Sequence, residues 1–299
     1  MYNRMIKYIE KHDILYKHQF GFKKNHSTDM ALITLLNKII NVLESNQHVI
    51  GIFLDFAKAF DTVDHNILLT KLSHYGFRGN VLSWFKSYLS NRKQAVKYNN
   101  TYSDQNTVLY GVPQGSILGP LLFLLYINDL SSVSEFFAIL FADDTNLFMH
   151  GSNIDELEAK ANTEIAKVEN WLNVNKLSLN IEKTQTMIFT NSRRLCNRSN
   201  NIVIKNIVIQ TVSKTKFLGM IIDNKLCFKD HIFHVCNKIS KGIGIIKKAK
   251  DILNKDTLLS LYYTFIYPYL TYCNLIWGKS ANCYLSRLLL LQKRIVRII

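Results

Sequence analysis

An adjacent carboxylate pair, Asp143-Asp144, sits between apolar, β-favouring residues in the stretch Phe137–Met149, FAILFADDTNLFM. Asp tolerates turn conformations and the flanking residues avoid water, so the stretch predicts two short strands joined by a tight turn. Like charges raised together at the tip of an apolar hairpin repel, and a divalent cation relieves them. A bare Asp-Asp pair is more often a solvated turn, but a second stretch shifts the balance. Val49–His65, VIGIFLDFAKAFDTVDH, opens on a continuous apolar run, Val49–Leu54, that reads as a buried strand ending on Asp55. A carboxylate at the end of a buried strand can meet the tip of a neighbouring hairpin. Three carboxylates at one point make a hard-oxygen site suited to Mg²⁺, which keeps some waters and takes phosphate oxygens as its remaining ligands. Two such ions, about 4 Å apart, stabilise the attacking and leaving oxygens of a phosphoryl transfer.

In chain order, Asp55-Phe-Ala-Lys-Ala-Phe60-Asp61, Gly111-Val-Pro-Gln-Gly-Ser116-Ile-Leu-Gly-Pro120 and Phe141-Ala-Asp-Asp144 resemble three successive palm motifs of a reverse transcriptase. The kind they resemble most is that of non-LTR, jockey-like retrotransposons. His18-Gln-Phe-Gly-Phe-Lys-Lys-Asn-His-Ser27, Leu177-Ser-Leu-Asn-Ile-Glu-Lys-Thr184 and Phe217-Leu-Gly-Met-Ile-Ile-Asp223 are similar to further blocks of that family. The resemblance runs from about residue 15 to about residue 225, and the tail Leu291–Ile299 looks like the family's post-polymerase segment.

The resemblance implies an RNA-directed DNA polymerase in which Asp55, Asp143 and Asp144 hold two Mg²⁺ ions, with Mn²⁺ as an alternative. It places Phe60, five residues past Asp55, beneath the sugar, where a bulky ring leaves no room for a 2′-hydroxyl. Gln114 has both a donor and an acceptor for a nucleotide or template, and Gly115 beside it lets a substrate approach the main chain. Lys23 and Lys24, in a basic fingertip loop, contact the triphosphate, and the backbone N–H groups of Phe56 and Ala57 do the same. His26 stands where the family often has Arg, a weaker phosphate ligand when neutral. Lys183 is implied as the general acid for departing pyrophosphate, and Phe217, Leu218 and Gly219 as the primer grip. The implied partners are an RNA template, a DNA primer and dNTPs.

The expected fold is α+β: a right-hand polymerase palm with partial fingers and a helical thumb-like C-terminal region. Residues 1–191 form fingers and palm, 192–225 a region of β-hairpin, and 226–299 the thumb-like helices. Helices are expected over Met30–Leu43, His65–Tyr75, Val81–Leu89 and Leu121–Ile127, and over the stripe from Ile154 to Leu172. Others follow over Ile232–Lys250, Lys255–Tyr267 and Leu285–Ile299. Ile202–Ile209 reads as a strand, and Gln94–Tyr110 as a hairpin around Asn99-Asn100. The opening is abrupt for the family, so an upstream fingers strand, and any endonuclease domain, are expected before Met1, as in a fragment or decayed copy.

Composition agrees with a polyanionic partner. Lys and Arg number 37 against 22 Asp and Glu, and from Lys205 onward sixteen basic residues face four acidic ones. The five cysteines, Cys196, Cys227, Cys236, Cys273 and Cys283, form no CxxC pair and read as reduced intracellular thiols. The Cys227, His231, His234, Cys236 cluster fits no common zinc spacing. No membrane association is expected, the longest apolar run being short of a span, and nucleus and cytoplasm stay unresolved. Two other functions fit parts of the pattern: a catalytically inactive nucleic-acid-binding remnant, and an RNA-dependent RNA polymerase, against which Phe60 and Phe141-Ala142 argue.

Overall fold

The computed structural model describes residues 1–192, 195 and 198–299, so Cys196, one of the five cysteines, lies outside the described residues. The apolar run of residues 49–54 forms β1 (His48–Leu54), buried over six of its seven residues. It becomes the central strand of a five-stranded sheet. Two exposed β-pairs follow it in the chain, β2 (Lys93–Gln94) with β5 (Asn106–Thr107) and β3 (Lys97–Tyr98) with β4 (Thr101–Tyr102). The sheet itself adds β6 (Phe137–Phe141), β7 (Asp144–Gly151), β8 (Gln185–Phe189) and, beyond a small hairpin of β9 (Val203–Ile204) and β10 (Ile207–Val208), β11 (Gln210–Thr211). Its order is β11-β8-β1-β7-β6, antiparallel except between β11 and β8. A last hairpin, β12 (Lys214–Phe217) and β13 (Met220–Asp223), precedes the C-terminal helices.

Strand alternation divides the side chains between two cores. Ile50, Ile52 and Leu54 of β1, with Leu147 and Met149 of β7, point to the face covered by α1 (Tyr2–Lys11), α3 (His65–His74), α4 (Asn80–Leu89), α5 (Leu118–Ile127) and α6 (Ile154–Val174). α5 is apolar all round and accordingly buried all round, from Leu121 through Ile127. Val49 and Phe53, with Phe148, Met187 and Phe189, point to the other face. There they meet α2 (Thr28–Glu44), the β12–β13 hairpin, α7 (Lys229–Ala249), α8 (Lys255–Phe265) and α11 (Asn282–Val296). The expected thumb-like helices therefore share a core with the sheet and with the N-terminal helix α2.

Local chemistry explains most boundaries. The Ser27 hydroxyl accepts the Met30 N–H at 3.3 Å to begin α2. Asp64 accepts from Asn66 and Ile67 N–H to begin α3, and its other oxygen takes Lys176 at 2.7 Å. Two expectations are corrected. Ile202–Ile209 is a hairpin, because Lys205 and Asn206 turn the chain at positive φ. The helix expected through Tyr267 stops at Phe265. Pro268, which has no N–H to continue it, instead opens the short α9 (Tyr267–Thr271), followed by α10 (Asn274–Trp277). Among the described residues no helix is long and apolar enough to cross a membrane.

Candidate active site

The β1–β7 register pairs Leu54 with Thr145, so the next residues along, Asp55 and Asp144, stand across from one another where the pairing ends. By alternation both lie on the face that carries Phe53 and Phe148. Phe141 pairs with Asp144, leaving Ala142-Asp143 as a two-residue turn with Ala142 in the left-handed region, at φ 56°. Asp143 is therefore at the hairpin tip and Asp144 opens the strand. Asp144 keeps contact with solvent, yet partial burial, and then the charges of Asp143 and Asp55, push its carboxyl up to about 6. The last two causes say that Asp144 lies within reach of both neighbouring charges. Among the described residues no three His, Cys, Asp or Glu side chains are grouped so as to hold a metal ion.

Beyond β1 the chain continues to pair. Asn180 N–H donates to Asp55 O at 2.7 Å, and Ala57 N–H donates to Ser178 O at 2.8 Å. The second bond corrects an expectation: the Ala57 N–H is taken by the loop beside it and is not presented to a triphosphate. The same loop carries Lys183, whose Nζ lies 3.9 Å from Asp55 Oδ2, both groups exposed.

Phe60 is half-buried, its ring 4.4 Å from that of Phe123 on α5 and edge-on to Phe22 at 6.4 Å. The glycine-rich loop is fastened to this turn at three points. Val112 N–H donates to Phe60 O and Gly111 N–H to Val63 O, each at 2.8 Å, and the Gln114 amide donates to Asp61 Oδ1 at 2.8 Å. Gln114 and Gly115 are exposed beside Phe60, and a side chain grafted onto Gly115 would meet nothing within 4 Å.

Lys23 and Lys24 follow Phe22, whose ring is edge-on to that of Phe60. They line a cleft of about 710 Å³ with Tyr2, Ile6 and Glu10 of α1, and burial pushes the Lys23 ammonium down against the opposing pull of Asp13. Among the described residues no bond ties either lysine to the carboxylates. Phe217 is buried, its ring 6.5 Å from Phe53. Leu218 and Gly219 make the turn of the β12–β13 hairpin, both at positive φ, and the Tyr272 hydroxyl donates to Leu218 O. The Cys227–Cys236 cluster does not converge: Cys236 and His231 are buried, and His231 Nδ1 accepts the Ile221 N–H at 3.3 Å. Asp129 pairs with Lys71 at 2.7 Å.

One residue that matters to the site reads from sequence only as part of a polar loop. Gln19 is 1% exposed, and its Oε1 accepts the N–H of Gly21 at 2.8 Å and of Ala142, in the carboxylate turn, at 3.1 Å. Main-chain bonds between His18, Phe20 and Leu140 lay this segment alongside β6. Gly21 is required by the close approach, since a Cβ there would fall 2.2 Å from Ala142 N. The available signal was a glycine two residues after a glutamine inside the His18–Ser27 block that resembles the family.

A family model described as Reverse transcriptase (RNA-dependent DNA polymerase) matches residues 1–222. The chain is 27% identical over 306 residues to the "Probable RNA-directed DNA polymerase from transposon X-element" of Drosophila melanogaster, covering 99% of this chain and 33% of that protein. Identity and coverage are the same for the "RNA-directed DNA polymerase from mobile element jockey" of Drosophila funebris. The chain thus spans about a third of the length of the curated relatives it matches. Among solved structures, the apo telomerase from Candida tropicalis superposes with a TM-score of 0.51 at 14% identity, over 98% of this chain and 54% of that one, a likeness of fold.

Proposed function

Because the chain belongs to the reverse transcriptase family, whose model covers residues 1–222, we propose that it is the polymerase segment of a non-LTR, jockey-like mobile element, joining dNTPs to a primer 3′-hydroxyl on an RNA template. The observation that supports this reading is the strand register, which sets Asp55 across from Asp144 at one end of the sheet with Asp143 at the adjoining hairpin tip. In this reading residues 1–191 are partial fingers and palm, 192–225 the primer-grip region and 226–299 the thumb.

The donor set is all carboxylate, open and mutually repelling, which fits hard divalent cations, and Asp55, Asp143 and Asp144 would hold them. Two bound Mg²⁺ or Mn²⁺ ions would neutralise the charge of the triphosphate and of the attacking oxygen. The remaining work falls to the chain's own groups. Lys183, beside Asp55, is placed to protonate the leaving pyrophosphate. The Phe60 ring, held between Phe123 and Phe22, fills the space a 2′-hydroxyl would need. With its amide donor spent on Asp61, Gln114 has its oxygen free to position sugar or template, and Gly115 leaves the main chain open beside it. The turn at Leu218-Gly219, on the buried Phe217, supports the primer end. Of the basic loop, Lys23 and Lys24, next to Phe22, would contact the triphosphate.

Primer extension on poly(rA)/oligo(dT) with Mg²⁺ tests the proposal, dTTP beside UTP. Extension with dTTP alone is the expected result. A preference for UTP would point to an RNA polymerase, and salt-sensitive RNA binding without extension would leave a binding remnant.

A further inference from the structure

Residues 90–107 are exposed without exception, an arm of chain standing off the folded body. Its order comes from itself. Lys93 and Gln94 pair with Thr107 and Asn106, and Lys97 and Tyr98 with Tyr102 and Thr101, around a tip where Asn99 and Asn100 both have positive φ, as a tight hairpin turn requires. The two pairings differ in register by one residue, 93 with 107 against 97 with 102, so the returning strand carries a bulge near Asp104. A two-stranded hairpin in water is marginally stable on its own. This one nevertheless exposes Val96 at 71%, Tyr98 at 76% and Tyr102 at 65%.

The arm's two faces differ. Alternation sets Lys93 and Lys97 on one face, and the Lys97 ammonium lies 5.2 Å from the ring of Tyr102, its cross-strand partner. The pattern continues onto the helix that leads into the arm. Trp84 stacks on Tyr88 at 5.3 Å and 10°, and the Arg92 guanidinium lies 5.6 Å from the Tyr88 ring. Three cations face one acid, Asp104, between residues 91 and 110. Lys93 and Lys97, four residues apart, stand about 13 Å from each other along an extended strand, near the length of four stacked nucleotides. The arm's returning end is joined directly to the active-site loop, through Tyr110 bridged to Asp64 and Gly111 bonded to Val63.

We propose that this arm, with Trp84 and Tyr88 at its root, is a docking surface for single-stranded nucleic acid passing to or from the active site. Lys93, Lys97 and Arg92 engage phosphates, and exposed tyrosine faces stack unpaired bases, which a duplex would keep stacked on one another. The choice of partner rests on the polymerase reading. The cationic, aromatic surface does not.

The test compares three forms of the full chain with the unaltered one: Gln94–Asn106 replaced by a two-glycine turn, the pair Lys93→Gln with Lys97→Gln, and Tyr102→Ala. Because the arm lies outside both cores, all three should fold, with unchanged circular dichroism. Fluorescence anisotropy with a labelled single-stranded RNA 20-mer, over a salt series, is the readout. The lysine pair should lower the slope of log K against log salt by about 1.4, roughly 0.7 for each phosphate of a single strand that is no longer neutralised. Tyr102→Ala should weaken binding at least about fivefold, and the shortened arm at least as much as either. Blunt duplex DNA should lose less. Unchanged affinity and slope would overturn the proposal, as would equal losses on duplex and single strand. Loss of a self-associated species on shortening the arm, read by sedimentation, would assign it to a second copy instead. Primer extension measured beside it separates the two readings: arm-dependent RNA binding without extension sinks the polymerase reading alone.

Discussion

At the scale of single residues, the site is a balance of charge against burial, and Asp144 registers it. Its carboxyl sits near 6 in the folded chain against an ordinary 3.8. Between those values the folded chain holds a proton that the unfolded chain gives up. Stability of the metal-free protein therefore falls as pH rises from about 4 to about 6, and levels off above. Asp144→Asn removes that dependence: its thermal midpoint should match the unaltered chain near pH 4 and exceed it at pH 7. Equal midpoints at pH 7 would mean that the three carboxylates do not crowd. Gln19 works through main-chain N–H groups instead of charge. Gln19→Met leaves the buried N–H groups of Gly21 and Ala142 without their acceptor, at about 1–3 kcal/mol. Mn²⁺ binding, followed by electron paramagnetic resonance, should weaken several-fold because the Ala142-Asp143 turn loosens. Unchanged Mn²⁺ affinity in a folded variant would reduce Gln19 to a structural residue. The hairpin that carries the carboxylate pair was legible, because Asp accepts a turn and the apolar residues on either side of it favour strands. Gln19 was not, since its role depends on a residue 123 positions away that no local pattern encodes.

At the scale of elements, the proposed chemistry rests on the hairpin β6–β7 and the end of β1, whose register sets Asp144 across from Asp55. A continuous apolar run announced β1, apolar flanks around an Asp pair announced the hairpin, and the tip at Asn99-Asn100 was legible from the residues that accept positive φ. Less legible were the places where one short strand becomes two. At Lys205-Asn206 a lysine occupies the left-handed region, which composition does not advertise. The Phe60 turn makes a specific demand. Phe60→Ala removes a ring packed against Phe123 and, in the proposed reading, opens space beside the sugar. It should narrow the preference for dTTP over UTP by roughly 10–100-fold, in the range one shape difference in a pocket supplies. Single-nucleotide incorporation with each substrate reads that ratio, and an unchanged ratio would remove Phe60 from sugar selection.

At the scale of the whole molecule, the sheet is the wall between two cores, and the C-terminal helices complete one of them. The sequence suggested a thumb-like unit from residue 226 onward, because helical patterning changes there. It could not show that Ile232, Ile239 and Ile243 of α7 share a core with Val49, Phe53 and Phe148. Ile239, fully buried, makes this testable. Ile239→Ala should cost about 2–5 kcal/mol, and unfolding followed at Trp171 and at Trp277 should shift together. A shift at Trp277 alone would show that the C-terminal helices unfold separately.

The central claim is that Asp55, Asp143 and Asp144 form one metal-dependent centre for nucleotide addition. Incorporation of a single dTMP on an RNA-templated primer, with Mg²⁺ titrated from zero, tests it most directly when the chain is run beside Asp143→Ala and Asp144→Asn. Extension that requires the cation and falls at least about 1,000-fold in both variants, a loss of roughly 4 kcal/mol of transition-state stabilisation, is the predicted result. Comparable extension in either variant, or extension indifferent to the cation, would contradict the account.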